Sequence, residues 1–441
     1  METQRSAVAA DTGVSTALLT DHYELTMLRA ALRDGTAARH SVFEVFARRL
    51  PQGRRYGVAA GTGRFLDALE RFRFGASELD FLTSHGVVDD DTAAWLHDFR
   101  FGGDIWGYAE GECYFPGSPI LRVEGTFAET ILLETLALSI FNHDCAVAAA
   151  ASRMVQAAGG RPLIEMGSRR THEKAAVAAA RVAYLCGFAS TSNLEAGRVH
   201  GVPTAGTSAH AFTLLHDDER QAFRSQIAAT GEDTTLLVDT YDVAEAVRTA
   251  VELAGPRLGA VRIDSGDLRV VAEEVRRQLD GLGARDTRLV VTGDLDEYAI
   301  AALAAAPCDS YGVGTSLVTG SGAPTASLVY KLVAREDVSG ALLPVAKASP
   351  GKSGTGGRKH AHRRFQDGVA QAELVSASPP APEPGTEDRP LQVPLVAAGR
   401  IIGREPLEAA RERHRRALAE LPPTALHLTK GDPALPTLAE R

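Results

Sequence analysis

Cysteine and long uncharged apolar runs are scarce in this chain, and each shortage closes off a class of protein. The four cysteines, Cys113, Cys145, Cys186 and Cys308, lie far apart and form no C-x-x-C pair. Neither a structural zinc site nor a disulfide framework is indicated, and a reducing compartment suits them. The first residues, METQRSAVAADTGVS, lack the apolar core of a signal peptide. The most apolar stretch, TILLETLALSIFNHDCAVAAAAS, is broken by Glu134 and Asp144 well short of the roughly 18 uncharged residues that a membrane span needs. A cytoplasmic protein without a membrane span is therefore expected. The balance of 47 basic against 56 acidic residues gives a net charge of −9, with no basic block. Nucleic acid is a poor partner for such a surface, so any phosphate ligand should be small and locally bound.

What is present is an ordinary globular composition, 44% hydrophobic and 23% charged over 441 residues, long enough for two or three compact units. Only six of the basic residues are lysines, and Lys347, Lys352 and Lys359 all fall within KASPGKSGTGGRK. Glycine amides and ammonium groups suit a phosphate, while a solvated loop accounts for the same residues. Both readings stay open.

Residues 1–15 read as disordered. ALLTDHYELTMLRAALRDG has helical spacing with Gly35 as its stop, SVFEVFARRLP reads as a strand, and GDIWGYAEGECYF and GSPILRVEG suggest small antiparallel pieces. A long helical run follows over about 127–158. From about residue 161 short apolar strands alternate with amphipathic helices. The strands are PLIEMGS, GFASTS, VPTAGTS, TLLVDT, AVRIDSGD, RLVVTGD and SYGVGTS. Repeated units of this kind predict an α/β barrel or an open doubly wound sheet. Past residue 366 come a Pro-rich stretch, SASPPAPEPGTEDRP, and a basic amphipathic helix, EPLEAARERHRRALAELP. The expected division is a mixed α+β domain over 16–130, an α/β barrel over 131–345 and a C-terminal extension over 346–441.

Nearly every strand in the repeated region ends in polar or glycine residues. Arg169 and Arg170 follow the first, Ser192 and Asn193 the second, and Thr207 and His210 the third. Asp239 follows next, then Asp264, Ser265 and Asp267, then Gly293 and Asp294, and finally Gly312, Gly314 and Thr315. In parallel α/β folds such residues converge on one face. Arginines there offer fork-shaped donors for phosphate or carboxylate, and Asp264 and Asp267 suit ribose hydroxyls or a phosphate-bound Mg²⁺. The glycines let backbone amides approach an anion. Alone, each is also an ordinary turn, and Thr171 reads equally as a helix N-cap. His210, after Gly206, Thr207 and Ser208 in AGTSAHAF, has small neighbours that leave room for a ligand.

Taken in order, GSRRTHEKAAVAAARVAYLCGFASTSNLEAG, GTSAHAF, VDTYD, RIDSGDL and YGVGTSLV resemble the nicotinate phosphoribosyltransferase family. LLTDHYELTM and FEVFARRLP extend the likeness to about residues 17–365. The resemblance implies the type II phosphoribosyltransferase fold, an irregular α/β barrel with a mixed N-terminal domain, usually dimeric. It implies a reaction of nicotinate with 5-phosphoribosyl 1-pyrophosphate coupled to hydrolysis of ATP, with Mg²⁺. His210 corresponds to the histidine that ATP phosphorylates, Tyr23 to the residue stacking on the pyridine ring, Thr207 to a neighbour of the base, and Arg262 to the arginine that recognises the carboxylate. Arg169 is implied at the donor's phosphates, Asp264 at its ribose or metal, Ser192 in substrate binding, and Gly293, Gly314 and Thr315 at the 5-phosphate. Gly356 stands where the family pattern has proline, so the lysines are given no role. No direct protein ligand to a metal is assigned, and the absence of a C-terminal cysteine cluster argues against zinc. Nicotinamide phosphoribosyltransferase and a non-catalytic nucleotide-binding barrel remain the alternatives. Quinolinate phosphoribosyltransferase fits less well, since its chemistry needs no phosphorylatable histidine.

Overall fold

The computed structural model describes residues 14–51, 53–347, 355–378 and 388–439. Lys352, residues 1–13 of the expected disordered start and residues 379–387 of the Pro-rich stretch lie outside the described residues. The chain forms two compact units, one made of residues up to Ala149 together with Thr325 onward, the other of Ala150–Pro324.

The first unit is built on a seven-stranded sheet whose paired strands all run antiparallel. At its centre His40–Ala47 pairs with Leu121–Thr126 on one side and Leu328–Glu336 on the other. Six of that central strand's eight residues are buried, so it is covered on both faces and its apolar run is nearly continuous. Phe43 stacks on Tyr330 with ring centroids 4.9 Å apart. The predicted first helix is His22–Asp34, and Gly35 closes it at φ 78°, the left-handed conformation that glycine adopts without a Cβ clash. The expected long helical run is Phe127–Ile131 and Glu134–Ala158, separated by two residues. Phe127–Ala158 is long and apolar enough to cross a membrane by composition, but 61% of its most apolar window is buried inside the protein, as in a core helix.

A four-stranded sheet in this unit carries a hairpin of His360–Gln366 and Val369–Ser376. Between them the fully buried Arg363 binds Glu112 at 2.6 Å, Glu373 at 2.8 Å and the Cys113 carbonyl at 2.6 Å. A guanidinium taken wholly out of water is tolerable only when carboxylates offset its charge, and here Glu112 and Glu373 do so. The Leu407–Ala419 helix is less solvated than its charges suggest, because His414 lies inside and its Nδ1 is 3.0 Å from the Gly111 carbonyl oxygen.

The second unit holds a six-stranded parallel sheet in the order Ser190–Thr191, Leu163–Glu165, Ser310–Val313, Arg288–Val291, Ala260–Ile263, Thr235–Leu237. It is a curled half-barrel in which helices link the parallel strands, bearing out the α/β class. VPTAGTS is not a strand: it makes one isolated parallel bridge, Thr204 to Thr191, and is otherwise loop. Its threonine, glycine and serine residues offer no apolar side chain to bury. Asp218, Asp242, Asp267 and Asp296 cap the helices that follow them, each accepting from a backbone N–H two or three residues on. Asp267 is thereby an N-cap, accepting from Val270 N at 3.4 Å. The cap before Glu173–Cys186 is His172 and not Thr171.

In the first helix Glu24 is completely buried and accepts from Thr20 and Thr135. Burial pushes its pKa up to about 7, against the lowering effect of those bonds. In the unfolded chain it ionises near the ordinary carboxyl value, so the folded state holds its proton more tightly and this contribution is lost as pH rises from about 4.5 through 7. Glu24→Gln is expected to flatten that decline by on the order of 1–3 kcal/mol, read from unfolding at a series of pH values. Parallel pH profiles for the two proteins would contradict the assignment.

Candidate active site

Because the six strands are parallel, the residues that leave their carboxyl ends gather along one edge of the sheet. Across it run Ser192, then the Gly167–Arg170 turn, Gly314 and Thr315, Gly293, Asp264 and Asp239. The edge thus passes from arginines and glycines to carboxylates.

His210 stands at the carboxylate end, on the first residue of the His210–Leu215 helix. Its Nδ1 lies 3.2 Å from the Thr240 hydroxyl, and its Nε2 lies 3.9 Å from Asp239 Oδ1 and 4.0 Å from Asp264 Oδ2. The ring is 42% exposed, whereas the Asp239 side chain is only 3% exposed. Asp239 Oδ2 accepts from Asp264 N at 2.9 Å and from Ser265 Oγ at 2.6 Å. Its Oδ1 has no hydrogen-bond partner among the described residues. A buried carboxylate oxygen left without a donor is costly, and this one faces an imidazole that can carry a proton.

Arg262 projects from the Ala260–Ile263 strand and its side chain is 13% exposed. Nε donates to Thr292 Oγ1 at 2.9 Å, one terminal nitrogen to Thr207 Oγ1 at 2.9 Å, and the other to Asp264 Oδ1 at 3.1 Å. Thr292 also donates to Asp264 Oδ1. Three of the five guanidinium N–H groups are engaged in this way, leaving two for a ligand.

Gly293 has φ 114°, and a Cβ there would lie 2.6 Å from the Asp264 carbonyl oxygen. Only glycine lets these neighbouring strand ends approach so closely. Gly314 precedes the short Thr315–Val318 helix. A Cβ on Gly167 would lie 3.1 Å from the Gly314 carbonyl oxygen, so the turn bearing Arg169 abuts the Gly314 segment. Arg169, Arg170, Ser192 and Thr315 are exposed.

Tyr23 belongs to the first unit, on the first turn of His22–Asp34, and is 43% exposed. Burial, with Glu134 and Glu24 nearby, holds its phenol well above the ordinary pKa, so the hydroxyl stays neutral. Of the loop lysines, Lys359 is buried with its ammonium 2.6 Å from Glu44 and 2.9 Å from the Thr355 and Gly357 carbonyls. It is a structural cation, while Lys347 is exposed. Asp239 was visible as a strand-end carboxylate, but nothing in VDTYD announces that it reaches His210.

A curled parallel half-barrel of this kind is consistent with the type II phosphoribosyltransferase fold. A crystal structure of human nicotinic acid phosphoribosyltransferase matches it with TM-score 0.82 at 26% identity, covering 96% of this chain and 98% of that one. A Pyrococcus furiosus nicotinate-nucleotide pyrophosphorylase shares the fold with TM-score 0.76 at 23% identity, covering 95% and 98%. Residues 18–142 match the nicotinate phosphoribosyltransferase N-terminal domain model. A Mycobacterium tuberculosis nicotinate phosphoribosyltransferase, pncB1, is 60% identical over 95% of this chain and 94% of its own length. The Bacillus subtilis nicotinate phosphoribosyltransferase is 38% identical over 79% and 73%. The chain belongs to the nicotinate phosphoribosyltransferase family.

Gly293→Ala is expected to destabilise the protein by about 1–3 kcal/mol, through both the strained φ and the crowding against Asp264. Gly206→Ala, where a Cβ meets nothing within 4 Å, should change stability by less than about 1 kcal/mol. Denaturant unfolding of the pair checks this, and equal effects would mean the strand ends tolerate separation.

Proposed function

We propose that this chain joins nicotinate to 5-phosphoribosyl 1-pyrophosphate, giving nicotinate mononucleotide and pyrophosphate in NAD salvage, and couples the step to ATP hydrolysis through phosphorylation of His210. The observation that carries this reading is the imidazole held between the Thr240 hydroxyl and the Asp239 and Asp264 carboxylates. The imidazole is the nucleophile toward the γ-phosphoryl group of ATP, its nitrogen–phosphorus bond forming as the bond to ADP breaks. The carboxylates then stabilise the cationic ring as the phosphoryl group arrives.

Arg169, Gly293, Gly314 and Thr315 bind the donor's phosphates, with Ser192 beside them, and Asp264 orients its ribose. The two spare N–H groups of Arg262 take the nicotinate carboxylate, and Thr207 borders the base. The pyridine nitrogen attacks the anomeric carbon as pyrophosphate departs. The protein's contribution there is alignment and charge placement, with no covalent bond from protein to sugar. Among the described residues no group of three or more histidine, cysteine or acidic side chains is placed to cage a metal ion. The acidic pair fits Mg²⁺ as that ion usually binds, through one or two carboxylates together with substrate phosphates, and the unpartnered Asp239 oxygen suits this. When bound, the ion neutralises phosphate charge. A homodimer in the cytoplasm completes the proposal.

An uncharged amide substrate gains less from Arg262 than a carboxylate does, which favours nicotinate over nicotinamide. The test offers each base with the ribosyl donor and Mg²⁺, with and without ATP, and resolves the nucleotides chromatographically. Nicotinate mononucleotide formed faster with ATP is expected. Product from nicotinamide alone would remove the Arg262 assignment, and no product from either would favour a binding protein.

A further inference from the structure

The turn that carries Arg169 is held by a chain of side chains to which no role has so far been given. Glu165, the last residue of the Leu163–Glu165 strand, is completely buried. One of its carboxylate oxygens accepts from the Gly167 amide and the other from the Thr191 hydroxyl. Thr191 Oγ1 in turn accepts from Asn193 N at 2.9 Å, and Asn193 Nδ2 donates to Ser168 Oγ at 2.9 Å. The chain leaves the turn at Gly167 and returns to it at Ser168, so the two residues before Arg169 are tied to the neighbouring strand end. Ser192 N also donates to the Glu165 carbonyl at 2.8 Å, and Arg170 N to the Gly167 carbonyl at 2.8 Å.

Burying a carboxyl group is unfavourable, and burial does push the Glu165 pKa up, against the opposing effect of Thr191 and Gly167. A core position wants an apolar residue unless the polar one does something that an apolar one cannot. Here its two oxygens accept from a backbone amide of the turn and a hydroxyl of the next strand at once. Arg169 itself is exposed on a long side chain, so its reach toward a ligand is set by how firmly its backbone is fixed.

We infer that Glu165, Thr191, Asn193 and Ser168 are positioning residues for Arg169, fixing the turn so that its guanidinium meets the phosphate groups of the ribosyl donor. This rests on the proposed role of Arg169 at the donor. The residues do not touch the reacting atoms and act through the arginine.

The test is a double-mutant cycle with Ser168→Ala and Arg169→Ala, reading KM for 5-phosphoribosyl 1-pyrophosphate, KM for nicotinate, kcat and Tm. Losing one hydrogen bond of this kind corresponds to about a three- to tenfold change. Ser168→Ala should raise the donor KM by that factor while nicotinate KM and Tm hold. In the Arg169→Ala background it should change the donor KM by less than about twofold, because the group it positions is gone. Glu165→Gln, which keeps one acceptor for the amide and a donor for Thr191, should stay within about threefold of wild type. Glu165→Ala should show a larger donor KM than Ser168→Ala if it folds. Equal effects of Ser168→Ala in both backgrounds, or a parallel fall of all constants with Tm, would overturn the inference while leaving Arg169 in place. If Arg169→Ala alone leaves the donor KM unchanged, the assignment of Arg169 falls and the inference falls with it.

Discussion

The Arg262 guanidinium is the reference point of the sheet edge. A largely buried cation needs its donors matched, and here they are matched by three separate pieces of chain: the loop before His210 through Thr207, its own strand end through Asp264, and the next strand end through Thr292. Because a charged, planar donor holds its acceptors at fixed angles, these pieces cannot move independently. Asp239 continues the lattice by gripping the backbone and side chain of the Asp264–Ser265 corner. What results is a pair of carboxylates aimed at a histidine whose own loop is tied to the same arginine.

At the other end of the edge the constraints are steric. Gly167 permits contacts that any side chain would block, and the buried Glu165 fixes the turn leading to Arg169. The division of labour along one sheet edge matches the proposed chemistry. A phosphorylated sugar needs donors and close backbone, while a phosphohistidine needs carboxylates to orient and charge-balance its ring. The parallel topology is what brings the two ends within one row of strand termini.

Most of the second unit was legible, because the βα repeats carry their own punctuation: a short apolar run, a polar terminus and, in several, an acidic or amide cap. VPTAGTS was misread because it occupies the place of a strand in the rhythm without the apolar residues to be one. In the first unit the pairing of His40–Ala47 with Leu328–Glu336 joins segments nearly three hundred residues apart, and no local pattern encodes such a partner. For the site, residue types at strand ends indicated which groups gather but not which touch. The Asp239 approach to His210, the engagement of three Arg262 donors and the burial of Lys359 against Glu44 are products of packing. The motif resemblance supplied roles for His210, Arg262 and Tyr23 that composition and spacing leave open.

The central claim is that His210 is built to accept a phosphoryl group, and label transfer measures it directly. The protein is incubated with ATP labelled in its γ-phosphate, quenched, and the modified residue located by mass spectrometry after stability to alkali and lability to acid are recorded. Acid-labile, alkali-stable label on His210, absent from His210→Ala, is the predicted result. Label on another residue, or none in wild type under conditions where ATP is hydrolysed, would contradict it.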